Sequence, residues 1–359
     1  MNNVFDYLKW RGDLSFQNSP INEIDNMIFA RISSMPLHKI ELSGQETLYR
    51  VMEKMLDVNN EEFILQDKKL CKELINSKRY KNLKLSDFFR KIDNNIEQQF
   101  AAIIIWISKN EIYISYNGTD ESFVGWKEDF NMSFMQNIPS QLEGVKYLEK
   151  VSWKYPDVKM HLGGHSKGGN IAVYSAIYCN LEIKERIIDI FSADGPGFDK
   201  EVIEKQEYKT ISNKVHTYIP QFSIIGRLLE HDEEYNVIKS NEKGIMQHDI
   251  YSWEVLGTNI VRSKEITKES QLVDNIVRNW LKSTTPEQRK NFVNILYELL
   301  ISTNATKFSD LKVNTMKNVT TIINAYKNIN EEQKKELHKM LGLWLSSTRS
   351  SLKDQSTKK

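Results

Sequence analysis

The sequence predicts an α/β protein, a mostly parallel sheet flanked by helices, followed by an all-helical C-terminal extension. Three observations carry this prediction. Short β-branched runs alternate with helical patterns between about residues 100 and 240. A serine set among glycines stands between a strand pattern and a helix pattern at Leu162–Asn170. From about Ile266 onward only helical patterns remain.

Residues 1 to about 35 mix apolar positions (Val4, Phe5, Leu8, Trp10, Ile21, Ile24, Ile28) with turn residues and read as a docking arm ending in a helix near Asn22 to Ile32. From Ser43 to about Ile92 the pattern is helical. Leu48, Val51, Met52, Met55 and Leu56 form one stripe at 3.6 spacing, and Phe63, Leu65, Leu70 and Leu74 suggest a second amphipathic element. Phe100–Ile107 is a continuous apolar run, as expected of a strand buried on both faces. A polar turn leads to the alternating Ile112–Tyr116, so the two read as a hairpin within a sheet. Gln141 to Tyr155 reads as a helix, and Val158, Met160 and Leu162 alternate along a strand that enters Gly163-Gly-His-Ser-Lys-Gly-Gly169. Ile171–Ile177 is the helix beyond. Arg186–Ala193, Lys214–Ile219 and Tyr235–Lys239 supply the remaining strands.

In the extension, Thr285-Pro-Glu-Gln288 combines a cap residue, proline at the first helical position and glutamine at the third, and Asn330-Glu-Glu-Gln333 repeats the signature without proline. About four helices are expected there. The predicted organisation is an N-terminal arm with helices over 1–95, an α/β core over 96–258, a helical bundle over 259–350 and a disordered tail over 351–359.

With 40% apolar residues and a net charge of +1, the chain has the composition of an ordinary soluble globular protein and not of a polybasic nucleic-acid binder. Cys71 and Cys179 build no disulfide framework. The N-terminus lacks the apolar core of a signal peptide, and the longest apolar run falls short of the ~18 residues of a membrane span. A cytoplasmic location is the expectation. No cofactor and no metal is expected, because neither a ligand-spaced His/carboxylate cluster nor a dinucleotide fingerprint stands out.

Gly164-His-Ser-Lys-Gly168 matches the G-x-S-x-G nucleophile elbow, a sharp strand-to-helix turn that exposes Ser166 above the sheet. The turn itself supplies one oxyanion donor, the backbone N–H of Lys167. The lysine side chain reads either as a cation beside the site, suited to an anionic substrate, or as a solvated group on the outer side of the turn.

Two segments together carry a family resemblance. Tyr116-Asn-Gly-Thr-Asp-Glu-Ser-Phe-Val-Gly-Trp-Lys-Glu-Asp129 and Gly164-His-Ser-Lys-Gly-Gly169 resemble the class 3 (fungal-type) lipases of the α/β-hydrolase superfamily, with asparagine where those proteins usually carry arginine. From Asp6-Tyr-Leu-Lys-Trp-Arg-Gly-Asp13 to Gln247-His-Asp-Ile-Tyr-Ser-Trp253 and the helical tail, the chain is more closely similar to the lipase-like Mbeg1-like family. The resemblance implies an α/β-hydrolase fold, Ser166 as nucleophile and the Thr119 amide as a second oxyanion donor, with the Thr119 hydroxyl as reinforcement. It also implies a lid over 120–138, where Phe123, Trp126 and Phe130 would meet a small-molecule ester or lipid substrate; an ordinary amphipathic helix is the competing reading.

The order Ser…acid…His places the base late, and His248 is the best-placed histidine, with His231 second. His216 reads as a core residue, His231 as part of a solvated acidic run, and His161 and His338 as structural. The class 3 lipase acid would fall in Pro220–Arg227, which holds no carboxylate; its nearest equivalent is Ser223. Three alternatives stay open: the acid has moved to Asp194, or Asp232 or Asp199 swings in, or the site is a dyad with a polar orienter. The expectation is a serine hydrolase of lipase/esterase type. A thioesterase or acyltransferase using the same serine stands beside it, as does a non-catalytic relative whose C-terminal helices bind a protein partner. Transient lipid contact fits the expected substrate, whereas no membrane span and no nucleic acid is expected.

Overall fold

The computed structural model describes residues 2–59 and 63–357. Its centre is an eight-stranded sheet whose spatial order follows the chain: β1 (Glu46–Thr47), β2 (Lys84–Asp93), β3 (Gln98–Ser108), β4 (Glu111–Tyr116), β5 (Lys159–His165), β6 (Ile187–Ala193), β7 (Val215–Pro220) and β8 (Asn236–Ile238). β1 runs antiparallel to β2 and β3 to β4, and β4 through β8 are parallel neighbours. The expected hairpin is present, with Ile104 opposite Ile114. The expected mostly parallel α/β sheet flanked by helices is the observed architecture.

Sequential parallel strands have a physical consequence. Right-handed crossovers that always step in one direction put their helices on one face of the sheet and leave the other bare. The parity of the side chains shows both faces. Ala102, Ile104, Ile112, Ile114, Met160 and Leu162 pack with the crossover helix Lys167–Tyr178, whereas Ile103, Ile105, Tyr113, Phe191 and Ala193 pack with N-terminal residues such as Ile28, Phe29 and Ile32. The helix Glu23–Ser34 thus covers the face that the crossovers cannot reach, and the N-terminal arm is half of the core. It begins with helix Val4–Arg11, and a capping box at Asn22 fixes the start of the second helix. Arg79 locks the arm from behind. Its guanidinium meets the Asp25 carboxylate with both groups fully buried, and Tyr7 and Tyr80 share the same carboxylate.

Between Ser43 and Ile92 the sequence suggests helix throughout. The helices Leu48–Leu56 and Leu65–Asn76 are there, but β2 replaces the last part. Asp87 explains the discrepancy: its φ of 53° breaks the strand's two-residue phase, so that Leu85 and Phe88, three apart, pack into the same cluster and no clean alternation is left to read.

By compactness the chain forms two units, Met1–Lys91 with Phe100–Gly118 and Ser140–Thr267, and Ile92–Gln99 with Thr119–Pro139 and Lys268–Lys359. The second holds helices Lys268–Lys282, Pro286–Ile301, Phe308–Lys312, Thr315–Asn328 and Glu331–Thr357. Both predicted caps are formed, Thr285 with Gln288 and Asn330 with Gln333. The last helix continues to Thr357 through most of the tail expected to be disordered; Lys358 and Lys359 lie outside the described residues.

Candidate active site

β5 delivers the chain to Ser166, and the helix Lys167–Tyr178 leaves from it. Ser166 has φ 57° and ψ −131°, a conformation that an L-residue holds only when its surroundings enforce it. Here the turn is fixed by Ser166 N–H donating to the Ala193 carbonyl at 2.9 Å, and Gly169 N–H donating to the Ser166 carbonyl at 2.9 Å. The flanking glycines are steric necessities: a Cβ at Gly164 would come within 2.5 Å of the Gly168 backbone and the Tyr116 carbonyl oxygen.

At the end of the neighbouring β6, Asp194 also sits at positive φ, 48°, and is fully buried. One carboxylate oxygen, Oδ2, lies 2.6 Å from His248 Nδ1, and the other, Oδ1, accepts from Ser223 Oγ at 2.5 Å. The Gly226 N–H donates to that same Ser223 oxygen at 2.9 Å. A Cβ at Gly226 would overlap Asp194 Oδ1, so the loop after β7 closes on the carboxylate only because residue 226 has none. Both carboxylate oxygens are thereby committed, which fixes the orientation of the group.

His248 ends the short 3₁₀ segment Gly244–His248 and keeps its ring partly exposed. Hydrogen bonds hold this segment and the turn Ile250–Ser252 that follows it. Trp253 Nε1 donates to the Gln247 carbonyl at 2.9 Å, Phe222 N–H donates to Gln247 Oε1 at 2.9 Å, and Tyr251 OH donates to Asp67 Oδ1 at 2.7 Å. Asp67 is itself gripped by Arg31 in a two-pronged pair at 2.6 and 2.7 Å. Finally, His165 Nε2 lies 2.7 Å from the His248 carbonyl oxygen, and the two rings sit 4.3 Å apart. Burial, then the nearby His248, hold the pKa of His165 well below the ordinary histidine range. The ring is therefore neutral, with its proton on Nε2 for the carbonyl. Through this contact the residue next to Ser166 touches the loop of the candidate base.

The other histidines serve elsewhere. His216 is exposed on β7, not a core residue: alternation turns residue 216 outward between buried Val215 and Thr217. His231 is not on a solvated face. Its Nε2 lies 2.9 Å from the Gly226 carbonyl and its Nδ1 3.1 Å from Glu233, with little exposure. Asp232 pairs with Lys209 at 2.5 Å, and Asp199 stands at the N-cap position of helix Lys200–Ile203.

Lys167 is a correction. Its side chain is 1% exposed, so the solvated reading does not hold, and it is no free cation. Thr119 belongs to the second unit, where its hydroxyl donates to the Asp129 carboxylate at 2.6 Å; that proton is committed there and does not serve as a reinforcing donor. In the same unit, Phe123–Asn131 is a helix started by Ser122. Phe123 is buried against Phe308 at 5.0 Å, Trp126 reaches Phe308 and Phe130, and Phe130 is exposed. Backbone bonds Phe123 N–H to Thr306 and Phe308 N–H to Glu121 tie this segment to the helical unit. Those ties and the Arg31–Asp67–Tyr251 brace were not identified from sequence, because they join residues up to 187 positions apart with no local pattern.

Among the described residues, no group of three or more His, Cys, Asp or Glu side chains could hold a metal ion, and no helix is long and apolar enough to cross a membrane.

A parallel sheet whose central strand ends in a strained serine turn, with a histidine and a buried carboxylate brought in on later loops, is the architecture of the α/β-hydrolase class, and this chain has that fold. Within that class it belongs to the Mbeg1-like family, whose model matches residues 74–298. Similar solved structures are lipases. The native propeptide complex of Rhizomucor miehei lipase is 17% identical, with 66% of this chain and 80% of that chain covered and a TM-score of 0.39. The lipase from Rhizopus microsporus var. chinensis is 14% identical, with 69% and 81% covered and a TM-score of 0.40. Lipase II from Rhizopus niveus is 12% identical, with 67% and 84% covered and a TM-score of 0.40. No curated protein matched the chain.

Proposed function

We propose that the protein is a serine hydrolase of the lipase/esterase type that cleaves a carboxylic ester of an apolar, acyl-bearing substrate through an acyl-enzyme. The single observation that carries the proposal is the 2.6 Å contact between His248 Nδ1 and the doubly held Asp194 carboxylate, behind a serine in a strained elbow. An Nδ1–H bound to a carboxylate leaves the other ring nitrogen, Nε2, with its lone pair, ready to take the Ser166 proton as the hydroxyl attacks the ester carbonyl. The carboxylate then stabilises the imidazolium, which returns the proton to the leaving alcohol. Water repeats the sequence to release the acid. The Lys167 amide, first N–H of the helix after the elbow, is the donor proposed for the oxyanion, where helix polarity also favours negative charge. The role of the Thr119 amide as second donor rests on the sequence resemblance alone.

Substrate apolarity is proposed from Trp126 and Phe130, the aromatic residues of the segment that corresponds to a lipase lid. Both cysteines are free and buried, which suits a reducing compartment, and the cytoplasm is the proposed location. The test is hydrolysis of short- and long-chain p-nitrophenyl esters, and of thioesters, by wild type and by Ser166→Ala. Turnover of esters that vanishes in the variant and rises with chain length is expected. Equal activity of the variant overturns the proposal, and a preference for thioesters reassigns the reaction.

A further inference from the structure

We propose that the helix Thr315–Asn328 docks the C-terminal unit onto an anionic lipid surface. Met316, Val319 and Ile323 fall at i, i+3 and i+7 and are 85%, 49% and 47% exposed, and Val313 just before the helix is 61% exposed. The three helical residues share one face and form a stripe, not scattered single residues. The helix already spends another apolar arc on its own unit. Ile322, Ala325, Tyr326 and Ile329 pack against Ile295, Leu299 and Leu337. Its apolar arc is thus wider than the bundle covers, and no residue of the helix is fully buried.

Charge selects the occupant. Residues 311–330 contain Lys312, Lys317 and Lys327 and no Asp or Glu, and all three lysines are exposed. The carboxylate that precedes this stretch, Asp310, is engaged by the Thr306 and Lys307 backbone N–H groups. The one that follows, Glu331, is paired with Lys334 at 2.9 Å. An exposed apolar stripe with lysines and no carboxylate is the composition of a helix that lies in the plane of an anionic membrane surface, with the apolar side chains in the acyl boundary and the ammonium groups at the headgroups. A second copy of the chain fits poorly, because two such faces would oppose lysine to lysine. The same unit carries a second apolar cluster: Phe308, at the start of the preceding short helix, meets Trp126 at 6.0 Å, which meets Phe130 at 4.6 Å, and both phenylalanines are exposed. Aromatic side chains of this kind suit a lipid interface.

The inference stands apart from the catalytic reading, so Ser166→Ala must bind as wild type does. The experiment is co-sedimentation of the full chain with vesicles of phosphatidylcholine alone and of phosphatidylcholine mixed with phosphatidylglycerol. Binding is expected only to the mixed vesicles and should weaken as salt rises. The triple variant K312Q/K317Q/K327Q should lower partitioning on the order of 100-fold, about fivefold per lysine. M316S/V319S/I323S should lower it at least about tenfold. These residues are exposed, so the melting temperature of each variant should stay at the wild-type value. No binding to either vesicle, equal binding to both, or binding unchanged in both triple variants would overturn the proposal. So would a wild-type dimer that M316S/V319S/I323S converts to monomer, which would assign the stripe to a second copy. Binding of an acidic protein at the stripe without any vesicle binding would equally overturn it.

Discussion

Replacing Asp194 by Asn tests the proposed chemistry with almost no change in shape. Ser223 Oγ donates to Asp194 Oδ1 at 2.5 Å, so an asparagine at 194 would turn its carbonyl oxygen toward Ser223 and its NH₂ toward His248 Nδ1. A donor now faces Nδ1, which must become the lone-pair nitrogen, and the ring proton moves to Nε2. The ring then presents N–H toward the serine in place of a base, and the imidazolium loses its carboxylate. A misplaced tautomer of this kind costs about 10⁴ in kcat, or about 5 kcal/mol of barrier, with little change in KM. Ser223→Ala should cost far less, about tenfold, because it removes one hydrogen bond to a charged group and leaves the carboxylate against His248. Both variants would be assayed by p-nitrophenyl butyrate hydrolysis, with melting temperatures recorded alongside. Asp194→Asn within tenfold of wild-type kcat, or Ser223→Ala as damaging as Asp194→Asn, would refute the reasoning.

Other consequences follow from the same geometry and packing. Gly226→Ala should lower kcat at least about tenfold, because its Cβ would overlap Asp194 Oδ1 and push the carboxylate off His248; activity at the wild-type level would contradict the contact. His161 should make stability fall in mild alkali. Burial opposes its charge, but hydrogen bonds to Asp189 at 2.6 Å and Glu111 at 2.8 Å outweigh it and raise its pKa to about 9. With an unfolded pKa of about 6.5, its contribution is complete below that pH. It is lost as pH rises toward 9 and can amount to about 3 kcal/mol, so His161→Gln should flatten the melting-temperature profile between about pH 6.5 and 9. Asp25→Ala should destabilise by about 3–5 kcal/mol in urea unfolding, since it strands the fully buried Arg79, whereas an exposed pair such as Lys200–Glu204 should contribute about 0–1 kcal/mol.

The strands that carry the site were legible because each is a short apolar run bounded by turn residues, and β5 with its serine turn was legible from glycines. β2 was not, since one left-handed residue, Asp87, erased its alternation. The N-terminal arm could be read as docking, but not as the cover for one face of the sheet. That follows only from the sequential strand order, which no local pattern encodes. Within the site, the serine was fixed by its neighbours in sequence. Which carboxylate meets His248 was not, for Asp194 and His248 are 54 residues apart and the choice is made by loop geometry. His231 was the second choice of base and Asp232 an alternative acid in sequence, and they are engaged by Lys209, Glu233 and the Gly226 carbonyl. For Lys167 the sequence left open a cation beside the site or a solvated group, and burial of the residue excludes the second.

The most direct test of the central claim is covalent labelling of the serine. Incubation of the full chain with a fluorophosphonate, followed by peptide mass spectrometry, should place a single phosphonyl adduct on Ser166, and labelling should disappear in Ser166→Ala. A wild-type protein that takes up no label, or a Ser166→Ala variant labelled as fully as wild type, would contradict the account.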